Sequence, residues 1–106
     1  MSETIMQLNF NYDVSAEEYQ GAVEPLAPEF AALPGLRWKI WMINPEEGEA
    51  GGIYMFEQER DLQAFLDSEL AATVISHPAL RDFSVKRFEV MADLTTVTRG
   101  PVKVAA

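Results

Sequence analysis

The stretch LRWKIWMI at residues 36–43 restricts the fold more than any other feature of this chain. Alternate residues of a β-strand point to opposite faces. Trp38, Ile40 and Met42 therefore share one side, and Arg37, Lys39, Trp41 and Ile43 share the other. With a large aromatic ring on each side, neither face of the sheet that holds this strand suits open water. Helices from the same chain can cover one face only. The other calls for a partner, most simply a second copy of the chain, so a homodimer is expected.

The rest of the chain supplies the elements such a sheet needs. At residues 5–11, Met6, Leu8 and Phe10 alternate with Gln7, Asn9 and Asn11, which predicts a strand with one apolar face. Ser15 and Glu18 have capping-box spacing. Tyr19, Val23, Leu26, Phe30 and Leu33 then recur at intervals of three and four, a helical stripe. Pro25 and Pro28 fall inside it; interior proline removes a backbone hydrogen bond and clashes with the preceding turn, so a kink or two short helices is expected.

Pro34-Gly35 reads as a turn, and residues 44–48 (NPEEG) read as a hairpin loop. Residues 50–57 (AGGIYMFE) form the third predicted strand, in which Gly51-Gly52 signals a bulge or a close backbone approach. Residues 60–75 carry Leu62, Phe65, Leu66, Leu70 and Val74 and predict a single amphipathic helix, stopped by His77-Pro78. Residues 83–91 (FSVKRFEVM) read as the fourth strand, and residues 93–106 give no firm element. The order β-α-β-β-α-β is the split βαβ arrangement: a ferredoxin-like α+β fold with a four-stranded antiparallel sheet, spread over one domain, residues 1–106.

Composition removes several kinds of function. A chain of 106 residues with 48% hydrophobic residues has enough apolar surface for one core and too much for disorder. The absence of cysteine excludes a disulfide framework, a thiolate metal site and a cysteine nucleophile, and it fits a reducing compartment. A lone histidine excludes a two-His-one-carboxylate iron site. The net charge of −9 repels phosphate backbones and anionic lipid, so neither nucleic acid nor a membrane surface is expected as a partner. The N-terminal MSETIMQLNF lacks a basic segment followed by an apolar run, and no stretch nears 18 apolar residues; a cytoplasmic location is the expectation.

The strings MQLNF, LRWKIWMI and EAGGIYMFE together resemble the YdhR-like family of proposed monooxygenases, within the dimeric α+β barrel superfamily. Trp38, Lys39 and Trp41, followed about ten residues later by Glu49 to Tyr54, carry the most specific part. The similarity runs more loosely through Pro25-Leu26-Ala27, the second helix and the last strand, roughly residues 5–98. The resemblance implies a dimeric barrel and oxygenase activity.

Oxygen chemistry usually recruits a metal, haem or flavin. No Gly-rich dinucleotide turn follows a strand here, because Gly51-Gly52 lies inside one, so a Rossmann mode is excluded and no cofactor is expected. Substrate-driven chemistry remains, and the resemblance implies it, since related cofactor-free monooxygenases form quinones in this way. An electron-rich phenol or enol is deprotonated in a dry pocket, and its anion reduces dioxygen directly. The protein supplies a base, hydrogen bonds and exclusion of water.

The expected substrate is therefore a small apolar or aromatic compound. Trp38 and Trp41 are candidates to stack on it; alternatively one fills the core and the other the dimer interface. Lys39 could fix an anionic group, or pair with surface carboxylates as Arg37 could. Asn9 could orient a substrate oxygen or face solvent, and the Tyr54 hydroxyl could meet substrate or a backbone carbonyl. His77 is the candidate base, since histidine ordinarily titrates near neutrality; its alternative role is to stabilise a helix C-terminus.

Two further readings compete with the oxygenase. Haem-degrading oxygenases of this fold use a histidine near the end of the second helix, an asparagine on the first strand and a tryptophan after the third strand. His77 and Asn9 fall at loosely similar places, while Phe56 stands where that tryptophan belongs and counts instead among the substrate-binding candidates. The other reading is a non-catalytic dimer that binds a small apolar metabolite.

Overall fold

Four strands, β1 (Thr4–Tyr12), β2 (Leu36–Asn44), β3 (Glu49–Phe56) and β4 (Leu80–Glu89), form one antiparallel sheet in the order β2-β3-β1-β4. The structure is a computed structural model and describes residues 3–103. The first helical segment comprises α1 (Ala16–Val23), a 3₁₀ turn at Glu24–Leu26, and α2 (Ala27–Ala31). Ser15 caps α1 by accepting from the Glu18 backbone N–H at 3.1 Å. Pro25 and Pro28 each sit at the start of a helical piece, where the missing N–H has no partner to lose, and so divide the segment.

The single helix expected at residues 60–75 is instead two, α3 (Glu59–Leu66) and α4 (Glu69–Ile75). Ser68 makes the break stable: its hydroxyl donates to the Phe65 carbonyl and accepts from the Ala71 N–H at 3.2 Å. One side chain thus satisfies the end of one helix and the start of the next.

The fourth strand begins at Leu80 rather than at residue 83. Asn9 pairs with Ser84 and Asn11 with Arg81, so β4 holds one extra residue, and Asp82 takes the left-handed backbone conformation there (φ 58°). This bulge breaks the two-residue alternation and turns both Leu80 and Phe83 toward the helices. Phe83 then meets Phe10 at 5.3 Å between ring centroids. A second irregularity lies between Leu36 and Trp38. It takes Arg37 out of register with Lys39 and Trp41 and leaves it paired with Glu3.

Residues 93–106, unassigned from sequence, contain all but the first residue of α5 (Ala92–Val97) and a segment that returns across the sheet; residues 104–106 lie outside those described. Pro101 accepts from the Trp38 indole N–H at 3.0 Å, and the Lys103 backbone N–H donates to Glu3 Oε1 at 2.9 Å.

Pairing of Met6 with Tyr54, Tyr54 with Lys39, and Gly52 with both Leu8 and Trp41 places these positions on one face. The helices cover that face, and its Met6, Leu8, Phe10, Tyr54 and Phe56 pack on Tyr19, Phe30, Leu62 and Phe65. Trp38, Ile40, Met42, Ile53, Met55 and Phe88 point the other way. Met55 is buried at its end of that face, whereas Ile40 and Phe88 are 52% and 50% exposed.

Gly51-Gly52 marks close approach, without a register shift of β3 against either neighbour at that point. A Cβ on Gly51 would stand 2.0 Å from the Leu8 carbonyl oxygen, so no side chain fits.

Candidate functional site

Between the helix face of the sheet and α1, α2 and α4 lies a cavity of about 220 Å³. Leu8, Phe10 and Tyr54 form its floor from β1 and β3, and Lys39 and Trp41 enter from β2. Tyr19, Val23, Leu26 and Phe30 wall it from the first helical segment, Val74 from α4, His77 and Ala79 from the loop entering β4, and Leu80 from the first position of β4. Apolar groups with a few polar ones are the usual composition of a small-molecule site.

Lys39 is the unusual member. Its Nζ lies 3.5 Å from the Phe30 ring centroid, 3.4 Å from that of Trp41 and 4.6 Å from that of Tyr54. The sequence reading offered pairing with surface carboxylates as its alternative role. Among the described residues the ion pairs are Arg37 with Glu3, Arg81 with Asp13 and Asp82, and Lys103 with Glu57, and none includes Lys39. Burial without a counter-charge pushes its ammonium from 10.5 down to about 7, because the charged form loses hydration that nothing replaces in full. The negative ring faces pull in the opposite direction and return part of that loss.

The path of this side chain across β3 depends on Gly52. A Cβ there would come within 2.8 Å of Lys39 Cε and 3.2 Å of a Tyr54 ring carbon. The glycine pair thus does two separate things: Gly51 lets β3 close on β1, and Gly52 leaves the groove in which the Lys39 stem lies.

The other titratable groups around the cavity differ in character. Burial holds the Tyr54 phenol well above its ordinary range, so it keeps its proton near neutral pH and acts as a donor. Burial, and then neighbouring Tyr12, push Tyr19 up to about 12. Glu18 reaches the rim from α1, with Oε1 accepting from the Ser15 hydroxyl at 3.2 Å. His77 is exposed at the mouth, where its Nδ1 accepts from the Ala79 N–H at 3.1 Å. That bond leaves Nε2 to face solvent or a ligand.

Of the residues singled out from sequence, Lys39, Trp41, Tyr54 and His77 come together around this cavity. Trp38 and Asn9 stand on the opposite face of the sheet, Trp38 bonded to Pro101 and Asn9 donating to Glu49 Oε2 at 3.4 Å. Phe56 is fully buried in the core, stacked on Tyr54 at 6.0 Å, and does not border the cavity. Sequence reasoning missed Phe30 as a site residue, because its helical spacing read only as core packing. Among the described residues, no group of three His, Cys, Asp or Glu side chains could hold a metal ion.

The family model described as "Putative mono-oxygenase ydhR" matches residues 5–101. A search of curated proteins finds no match. Among solved structures, SnoaB, a cofactor-independent oxygenase from Streptomyces nogalater, superposes with a TM-score of 0.70 at 14% identity, covering 86% of this chain and 95% of that one. The haem degrader MhuD from Mycobacterium tuberculosis gives 0.64 at 17% identity, with 82% and 95% covered. A protein of unknown function from Nitrosomonas europaea gives 0.67 at 18% identity, with 100% and 97% covered. At these identities the likeness is one of fold.

Proposed function

The chain belongs to the ydhR putative mono-oxygenase family, and on that premise we propose that it is a cofactor-independent monooxygenase of small phenolic or enolic aromatic compounds. One observation carries the reading: an amine with no carboxylate partner among the described residues, held among Phe30, Trp41 and Tyr54 in an apolar cavity. Near neutral pH such an amine is available as a base. Neutral Lys39 takes the proton of a bound phenol or enol, which leaves an ammonium beside the substrate anion. The two charges form a pair in the same apolar surroundings that disfavoured the lone ammonium.

The anion passes one electron to dioxygen, and recombination of the two radicals forms a carbon–oxygen bond. Lys39 returns the proton to give a hydroperoxide, which loses water and leaves a carbonyl. One oxygen atom thus ends in the product and the other in water, with both reducing electrons drawn from the substrate. Trp41 stacks on the substrate ring while Phe30, whose plane stands at 79° to that of Trp41, meets it edge-on, the Tyr54 hydroxyl donates to its oxygen, and His77 at the mouth passes the proton to solvent.

The working unit is a homodimer in this reading, with a second copy covering the sheet face that carries Ile40 and Phe88 and the exposed Met91, Leu94 and Val97 of the α5 region. Trp38 and Asn9 belong to that side of the molecule.

Oxygen uptake with a panel of hydroquinones and anthrone-like phenols tests the proposal. Enzyme-dependent uptake that Lys39→Met abolishes supports it. Ligand binding without uptake supports a non-catalytic binder instead. A hemin complex whose Soret band depends on His77 supports the haem reading.

A further inference from the structure

We propose that Lys39 is also a nucleophile that captures aromatic aldehydes and ketones in the cavity as a reversible imine. The requirements of that reaction are met by features independent of dioxygen. An amine attacks a carbonyl only as the free base, and it must not be tied to a carboxylate; Lys39 has no ion-pair partner among the described residues. The attack forms a carbinolamine, which loses water as a C=N bond replaces C=O; no electrons are gained or lost. An apolar cavity that keeps water sparse favours the dehydrated side.

The walls select the carbonyl compound. Nζ sits in the corner made by the Phe30 and Trp41 rings, at 3.5 and 3.4 Å from their centroids, and the two ring planes stand at 79°, so a carbonyl bonded to Nζ places an attached aryl ring against one face and edge-on to the other. A cavity of about 220 Å³ has room for an aromatic ring beside Nζ. Of the three rings around Nζ, Tyr54 bears a hydroxyl, and it retains its proton to assist loss of water. The other titratable groups at the cavity are Glu18 and His77 at the rim and Tyr19 on α1.

The chain has three lysines, Lys39, Lys86 and Lys103, which makes the test simple to read. The native protein is incubated under nitrogen at pH 7.5 with benzaldehyde and cyanoborohydride, and the reduced adducts are mapped by peptide mass spectrometry. The expected result is labelling of Lys39 at least about tenfold above Lys86 and Lys103, because its free-base fraction is far larger. In urea that preference is expected to disappear. Equal labelling of the three in the native protein overturns the inference, as does labelling that spares Lys39. A preference that survives in urea also overturns it, since the folded cavity would then not be the cause. Gly52→Ala, which crowds the Lys39 stem while leaving all three lysines in place, is expected to lower the preference at least threefold. Labelling without oxygen uptake leaves the imine and removes the oxygenase; uptake without labelling does the reverse.

Discussion

Replacing Lys39 by Met is expected to make this protein more stable, and by an amount that depends on pH. An amine whose pKa falls from 10.5 to about 7 on folding costs about 5 kcal/mol, at about 1.4 kcal/mol per pK unit. The three ring faces within 3.4 to 4.6 Å of Nζ favour the charged form, so this figure is an upper bound. Because the folded-state pKa is the lower one, the unfolded chain binds the proton more tightly. The cost is therefore fully present below about pH 7 and fades as pH rises toward 10.5. Methionine fills a similar volume without a charge. Urea unfolding at pH 6, 8 and 10, at one fixed protein concentration, measures the difference. The Met variant is expected to lead by up to about 5 kcal/mol at pH 6 and by much less at pH 10. A difference that stays flat across this range, or a Met variant less stable at pH 6, would refute the assignment of Lys39 as a largely desolvated amine without an ion-pair partner among the described residues.

Four further outcomes follow from the same geometry. Oxygen uptake by the native protein is expected to rise with pH through about 7 and then level off, as Lys39 loses its proton, and stopped assays in buffers of constant ionic strength would show it. Gly51→Ala is expected to cost several kcal/mol in urea melts, since its Cβ would stand 2.0 Å from the Leu8 carbonyl oxygen. Ser68→Ala removes the cap between α3 and α4 and is expected to cost about 1 kcal/mol by the same measurement. Sedimentation of Ile40→Glu and Phe88→Glu is expected to show a shift from dimer to monomer, because each places a charge on the sheet face turned away from the helices.

Order and type of the elements were readable from sequence because they rest on local periodicity. Met6, Leu8 and Phe10 announce a strand by their spacing of two, and Tyr19, Val23, Leu26 and Phe30 announce a helix by spacings of three and four. Boundaries that depend on one exceptional residue were not readable. Asp82 adopts a positive φ and shifts the alternation of β4, and the Ser68 hydroxyl serves two helix ends at once; neither leaves a periodic trace. The pairing of Trp38, Lys39 and Trp41 with Gly51-Gly52 was visible as a pattern, though not the reason for it. In the folded chain Gly52 opens the groove for the Lys39 stem.

The sequence by itself determined the fold class, since hydrophobic period and element order are carried by neighbouring residues, and the strings LRWKIWMI and EAGGIYMFE carried the resemblance to the family. Tertiary structure alone decided which tryptophan faces the cavity and that, among the described residues, Lys39 pairs with no carboxylate. A pKa depends on what surrounds the group in space, and the ring that closes over Lys39 comes from Phe30, on another element nine residues away.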